Sequence, residues 1–195
     1  MTPGSLSEYL GELGALLRAV RVTDAHGEPL SLDHGADLAA RRLVAVADAR
    51  RSVFLVGNGG SAAIAAHMHS DLVKSVRLRA QVFHDVPLLT AITNDDGYER
   101  VFADPVGWFA EPGDLLIAIS SSGRSPNILA AARRALELAA DCLTFTGFDA
   151  DNALSTLGSL NFHVAARDYG LVEAAHTVLT HCLTDLARGL QESGA

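Results

Sequence analysis

Apolar residues recur along this chain at two different spacings, and the change between them divides it. From Leu6 to Val22 they fall at Leu6, Leu10, Leu13, Leu16, Leu17 and Val20, the period of one helix face. Ser5, with Glu8 three residues on, gives that helix a capping signal. The stretch 24–29 is polar and contains Gly27, which reads as a connection. An Ala-rich segment over 38–50 predicts a second helix. Beyond Ser52 short apolar runs alternate with helical patterns. Strands are predicted over 52–56, 80–83 with 88–92, 114–119, 142–148 and 161–165. Helices are predicted over 62–73, 98–109, 125–139, a short one near 153–157, and a last one over about 171–190. This alternation predicts an α/β protein, a three-layer αβα sandwich around a mainly parallel five-stranded sheet. Residues 1–195 read as a single domain, with 1–50 a helical extension packing on the core or on a neighbouring subunit. Ligands of such sheets bind at the carboxyl ends of the strands.

Two of those strand ends carry chemistry. The strand 52–56 stops at Gly57-Asn58-Gly59-Gly60-Ser61, and a helix begins. Backbone N–H groups and the positive end of a helix dipole then point at one spot, which suits a phosphate. Ser61 stands where an N-cap belongs, and its hydroxyl can also bond an anion. With Ala62 the loop also fits G-x-G-x-x-A, the dinucleotide fingerprint, and Asp85 is a loosely spaced ribose acid. The second loop is Ser120-Ser121-Ser122-Gly123-Arg124-Ser125-Pro126-Asn127. Four hydroxyls at a strand end, with a helix behind them, can saturate the oxygens of a phosphate monoester. Ser125 is placed to cap that helix and Pro126 suits its first turn. A dinucleotide diphosphate has no use for this second, serine-dense cradle. The plainer readings are a tight glycine turn and a polar loop with a cap.

His67 and Asp71, four residues apart, share one face of the helix after the first loop. The last helix carries Glu173 and His176 on one face, and His181 further along. His69 points away from the His67 face, and His26, His34, His84 and His163 have no partner visible in the sequence.

A formal net charge of -8 over 195 residues, with no basic stripe, argues against nucleic acid and anionic membranes as partners. An anionic substrate must therefore be held by local donors. No apolar run approaches the roughly 20 residues that cross a bilayer, and Met1-Thr2-Pro3-Gly4 opens no export signal. A cytoplasmic protein is expected, with Cys142 and Cys182 as reduced core residues.

Taken together, Gly57-Asn58-Gly59-Gly60-Ser61, the Asn94-Asp95 turn, the serine loop 120–125 and the run from Glu173 through His176 to His181 resemble the sugar isomerase (SIS) domain family. Within it the similarity is to its phosphoheptose isomerase members, over nearly the whole chain. The resemblance implies a flavodoxin-like core and a homotetramer with sites between subunits. It implies interconversion of sedoheptulose 7-phosphate and D-glycero-D-manno-heptose 7-phosphate, and bound zinc. Mapped by motif, the metal ligands are His67, Asp71, Glu173 and His181, with Asp71 as base and His181 as acid. Ser61, Ser120, Ser121, Ser122 and Ser125 hold phosphate, and Asn58 and Asp95 line the sugar. Gly59, Gly60, Asn94 and Glu173 complete the substrate-binding set.

Two positions depart from the family pattern, which commonly has Glu where this chain has Asp71 and Gln where it has Glu173. The shorter Asp71 sets its carboxylate back by roughly 1.5 Å. Glu173 adds a carboxylate that can take the metal or the base role. The eight residues from Glu173 to His181 span about 12 Å of helix, too far for one ion. A site shared between subunits, or a Glu173–His176 pairing, resolves that. The expected chemistry is proton transfer through an enediol, assisted by the cation. The rival readings are a non-catalytic SIS module that binds a sugar phosphate or a protein, and a nicotinamide-dependent oxidoreductase.

Overall fold

The computed structural model describes residues 4–194. Its centre is a seven-stranded sheet. β3 (Ser52–Gly57), β4 (Arg79–Val82), β5 (Leu115–Ser120), β6 (Asp141–Gly147) and β7 (Leu160–Val164) run parallel, ordered β7-β6-β5-β3-β4. Taken in chain order these five strands are 2-1-3-4-5, the flavodoxin-like arrangement, and their order reverses between β3 and β5.

The central strands are continuous Val, Leu and Ile runs because both faces are covered. In β3, Val53 and Leu55 enter one core layer while Phe54 and Val56 enter the other. The first layer lies under α2 (Leu32–Asp48), α3 (Gly60–Asp71) and α7 (Tyr169–Gly194), around Leu43, Met68, Phe145 and Leu183. The second lies under α4 (Val86–Asp95), α5 (Arg100–Phe109) and α6 (Pro126–Glu137), around Phe102, Leu116 and Ile128.

Several elements differ from the sequence reading. The first helix, α1 (Leu6–Arg18), is capped by the Ser5 hydroxyl, which accepts from the Glu8 amide at 3.2 Å. It stops before Val20 and Val22. Instead β1 (Arg21–Asp24) and β2 (Pro29–Leu30) form an antiparallel hairpin on the β7 edge, so the sheet has seven strands rather than five. The Asp24 carboxylate closes the hairpin by accepting from the amides of His26 and Glu28. Val22 is buried against α2, where Gly35 leaves the space it fills.

The run 88–92 is not a strand but part of α4. Asp85 caps that helix, accepting from the Leu88 amide at 3.1 Å, and so is not a ribose acid. The segment near 153–157 is a 3₁₀ turn, Ala153–Thr156. Beyond Asp71 the helix α3 loosens into a π-type turn, Leu72–Val76, closed by Arg77 at φ 56°. Both cysteines are free, but only Cys142 is buried; Cys182 is exposed. Among the described residues no helix is long and apolar enough to cross a membrane.

Candidate active site

The carboxyl ends of β3 and β5 face each other across the order reversal. At the first, Gly59 is the residue before α3 and has φ 54°, a backbone region that favours glycine. This displaces Ser61 from the N-cap position into the first turn, where it is buried. Gly57 is required for a different reason: a Cβ there would lie 2.6 Å from the Ser61 backbone.

At the second end the serine loop folds on itself. Ser120 Oγ accepts from the Gly123 amide at 3.2 Å and stands 3.4 Å from Ser125 Oγ. Ser122 Oγ accepts from the Arg124 amide. Ser125 is the residue before α6, yet its hydroxyl makes no capping bond. Ser121 Oγ is buried without a partner. The Ser121 hydroxyl is thus left uncommitted beside a helix N-terminus, and that of Ser125 is bonded only to Ser120. Ser61, Ser120, Ser121, Ser122 and Ser125, with Asn58, Tyr169 and Glu173, line a cavity of about 110 Å³. Such a cavity can accept a phosphate group on hydroxyls and backbone N–H donors.

The Asn58 side chain is fixed rather than free. Its Oδ1 accepts from Tyr98 Oη at 2.9 Å and from Asn127 Nδ2 at 2.8 Å, while its Nδ2 donates to Asn127 Oδ1 at 2.9 Å. Tyr98, Asn127 and Tyr169 were not singled out from the sequence. Asn127 is almost fully buried, and a buried amide directly after a serine-rich loop was the one available signal. Asn94 and Asp95 bond each other at the exposed end of α4 and are not among the residues lining this cavity.

A second cluster lies further along α3. Asp71 Oδ2 is 3.3 Å from His181 Nδ1 and 3.5 Å from His67 Nε2. The two imidazoles meet edge to face with centroids 4.7 Å apart. One ligand atom from each of the three residues falls within 4.8 Å of the others. His67 and Asp71 share a helix face, and α7 packs against α3 to bring His181 across. Two imidazoles and a carboxylate, all partly open to solvent, fit a zinc ion with a position left for substrate.

Glu173 is not in that cluster. Its carboxylate lies over the first turn of α3, where a Cβ on Gly60 would overlap it. Nor does His176 partner it. His176 is fully buried, with its Nε2–H directed at the Thr146 carbonyl at 3.1 Å and its ring against Phe145. Burial lowers its pKa to about 4, so it is a neutral core residue.

Comparison with known proteins places this geometry. The fold and its relatives mark an enzyme of the isomerase class. The chain belongs to the SIS domain family, whose model matches residues 8–147. The phosphoheptose isomerase of Mycobacterium bovis is 37% identical over 150 residues, 74% of this chain and 76% of that protein. That of Burkholderia pseudomallei is 38% identical over 140 residues, 69% of this chain and 71% of that one. Among solved structures, a phosphoheptose isomerase from Francisella tularensis superposes with a TM-score of 0.80 at 26% identity, covering 93% of this chain and 95% of that chain. One from Neisseria gonorrhoeae gives 0.79 at 25%, covering 93% and 96%.

Proposed function

We propose that this enzyme interconverts sedoheptulose 7-phosphate and D-glycero-D-manno-heptose 7-phosphate, with the phosphate in the serine cavity and the reacting carbons at His67, Asp71 and His181. The observation that carries the reading is the spacing of the two clusters along one helix. Ser61 and His67 are six residues apart on α3, about 9 Å of rise. An extended seven-carbon chain sets its first carbon about 9–10 Å from its terminal phosphorus, by standard bond lengths. The axial spacing matches that length, although Ser61 and His67 lie about 120° apart around α3, so a substrate reaching both curves round the helix or bridges the cavity of one subunit and the cluster of another.

In this mechanism the serine hydroxyls and loop amides hold the phosphate, and that remote binding energy orients the far end of the sugar. Asp71 takes the proton from one of the two exchanging carbons and returns it to the other. His181 supplies a proton to the carbonyl oxygen and recovers one from the neighbouring hydroxyl as that becomes the new carbonyl. His67, Asp71 and His181 would hold a zinc ion, which polarises that oxygen when bound. A role for Glu173 on the same ion would need a second subunit, because about 12 Å of α7 separates it from its own His181. Its position over Gly60 supports a role at the phosphate end instead.

A homotetramer is part of the proposal. It is supported by the exposed Leu6 and Leu10 of α1 and by an apolar groove of about 600 Å³ between α2 and α7, lined in part by the exposed Val178 and Leu186. The proposed setting is the cytoplasm. The test is incubation with sedoheptulose 7-phosphate in deuterated water, with and without chelator, followed by NMR. The aldose should form with deuterium at C2, and chelator should suppress it. Absence of any aldose, with zinc supplied, would refute the assignment.

A further inference from the structure

Apart from Ser120 at the end of β5, the buried polar side chains of the parallel strands gather in one place. On β6 and β7 the side chains of Thr144, Thr146, Asn161 and His163 share a face, and each is at most 4% exposed. β1 adds Thr23 opposite Asn161 and Arg21 opposite His163. Among the described residues no α-helical residue lines this corner. Ala150, Ser155 and Thr156 close it from one side and Asp24 to Gly27 from the other, leaving a cavity of about 340 Å³. None of its lining residues lines the serine cavity.

Hydrogen-bond bookkeeping fixes what this cavity presents. The hydroxyls of Thr144 and Thr146 both donate to Asn161 Oδ1, at 2.9 and 3.0 Å. With its proton committed there, Thr146 Oγ1 accepts from His163 Nδ1–H at 3.1 Å. His163 is then the Nδ1–H tautomer, and its Nε2 is a bare acceptor, buried without a partner among the described residues. Burial and the nearby Arg21 push the His163 pKa down, which keeps the ring neutral. Among the described residues nothing accepts from the Asn161 amide group. An unsatisfied buried acceptor costs about 1–3 kcal/mol; His163 lines the cavity, and a small turn of its ring brings Nε2, itself closed to solvent, within reach of a donor there.

We propose that this cavity is a second ligand site that takes an uncharged sugar or polyol, one hydroxyl donating to His163 Nε2 and a neighbouring oxygen accepting from Asn161 Nδ2. A phosphate dianion has no proton for Nε2 and meets the Asp24 carboxylate, which offsets Arg21. The site touches the serine loop indirectly: the Leu154 amide donates to the Gly123 carbonyl at 3.0 Å, and Asn152 occupies the space a Gly123 side chain would need.

The test is histidine ¹⁵N NMR on the full chain with the serine cavity saturated by sedoheptulose 7-phosphate. D-mannose, D-glucose, D-ribose, glycerol and inorganic phosphate are titrated in turn. In the free protein, His163 Nε2 should give the signal of an unprotonated ring nitrogen, and at least one neutral probe should shift it saturably. Ala150→Trp, at the cavity rim, should weaken that binding at least tenfold, about 1.4 kcal/mol. If that variant misfolds, Ala25→Trp on the opposite rim replaces it. The proposal is overturned if Nε2 is protonated in the free protein, if none of the neutral probes shifts it, if phosphate alone does, or if blocking the rim leaves affinity unchanged. These readouts do not depend on turnover, so they separate from failure of the isomerase assignment.

Discussion

Replacing Glu173 with Gln gives the sharpest test of how this site divides its labour. The carboxylate lies on the first turn of α3, above Gly60, where the helix presents free N–H groups. A phosphate bound to those groups would share the cavity with that carboxylate. At an effective dielectric of about 20, two unit charges at about 6 Å repel by about 2.8 kcal/mol. A dianion raises this, and the partial exposure of Glu173 lowers it. We therefore take about 1.5–3 kcal/mol, a factor of roughly 10–100 in affinity. Gln keeps the shape and removes the charge, so Glu173→Gln should bind inorganic phosphate about 10–100-fold more tightly by calorimetry. The KM for sedoheptulose 7-phosphate should fall in parallel. The gain should shrink as salt rises from about 0.02 to 0.5 M, since the repulsion is screened. Turnover should persist, because His67, Asp71 and His181 are untouched. Unchanged or weaker phosphate binding, together with loss of zinc, would refute the argument and return Glu173 to the metal.

Other outcomes follow from the same geometry. Asp71→Asn and His181→Ala should each abolish turnover and lower zinc affinity by more than the about 10–100-fold typical of an outer-shell change. Both should leave phosphate binding within about twofold, read by calorimetry, since the two clusters are separate. Ser125→Ala, which removes a hydroxyl bonded only to Ser120, should raise KM roughly tenfold, about one charge-assisted hydrogen bond, with little change in kcat. His176 makes an acid prediction. The unfolded chain takes up its proton near pH 6.5, whereas the buried residue does so only near 4. Its contribution is therefore fully present above about pH 6.5 and is lost as pH falls, by about 3 kcal/mol at pH 4. Urea titrations should show the wild type losing about that much more stability than His176→Gln between pH 7 and 4; equal losses would refute it.

The sequence carried the parts of this site that are local. β3 and β5 are apolar runs ending in glycine and serine, so strand, loop and helix start can be read directly, and His67 and Asp71 pair by helical spacing alone. His181 is different. Nothing in its neighbourhood joins it to Asp71; only the packing of α7 on α3 does, and its place came from a family resemblance. Glu173 resisted for the same reason, because its contact with Gly60 is tertiary. The hairpin was hidden because Val20 and Val22 also fit the period of the preceding helix, and strands of four and two residues leave little pattern. The run 88–92 is as apolar as a buried strand, and periodicity does not separate that from a helix. Asp85, two residues before Pro87, is the available sign of a helix start. Ser61 was misplaced by two residues because the cap position required the backbone freedom of Gly59.

The hairpin also bears on how the molecule is made. Val22 pairs with Phe162, 140 positions later. During synthesis β1 can pair with β2 early, but its other edge has no partner until almost the entire polypeptide has emerged, and β7, once formed, shows a bare row of backbone donors and acceptors until the hairpin docks. Contacts this distant in sequence form slowly, and uncovered edges recruit other chains. Removing the first thirty residues would therefore show itself first as precipitation during expression.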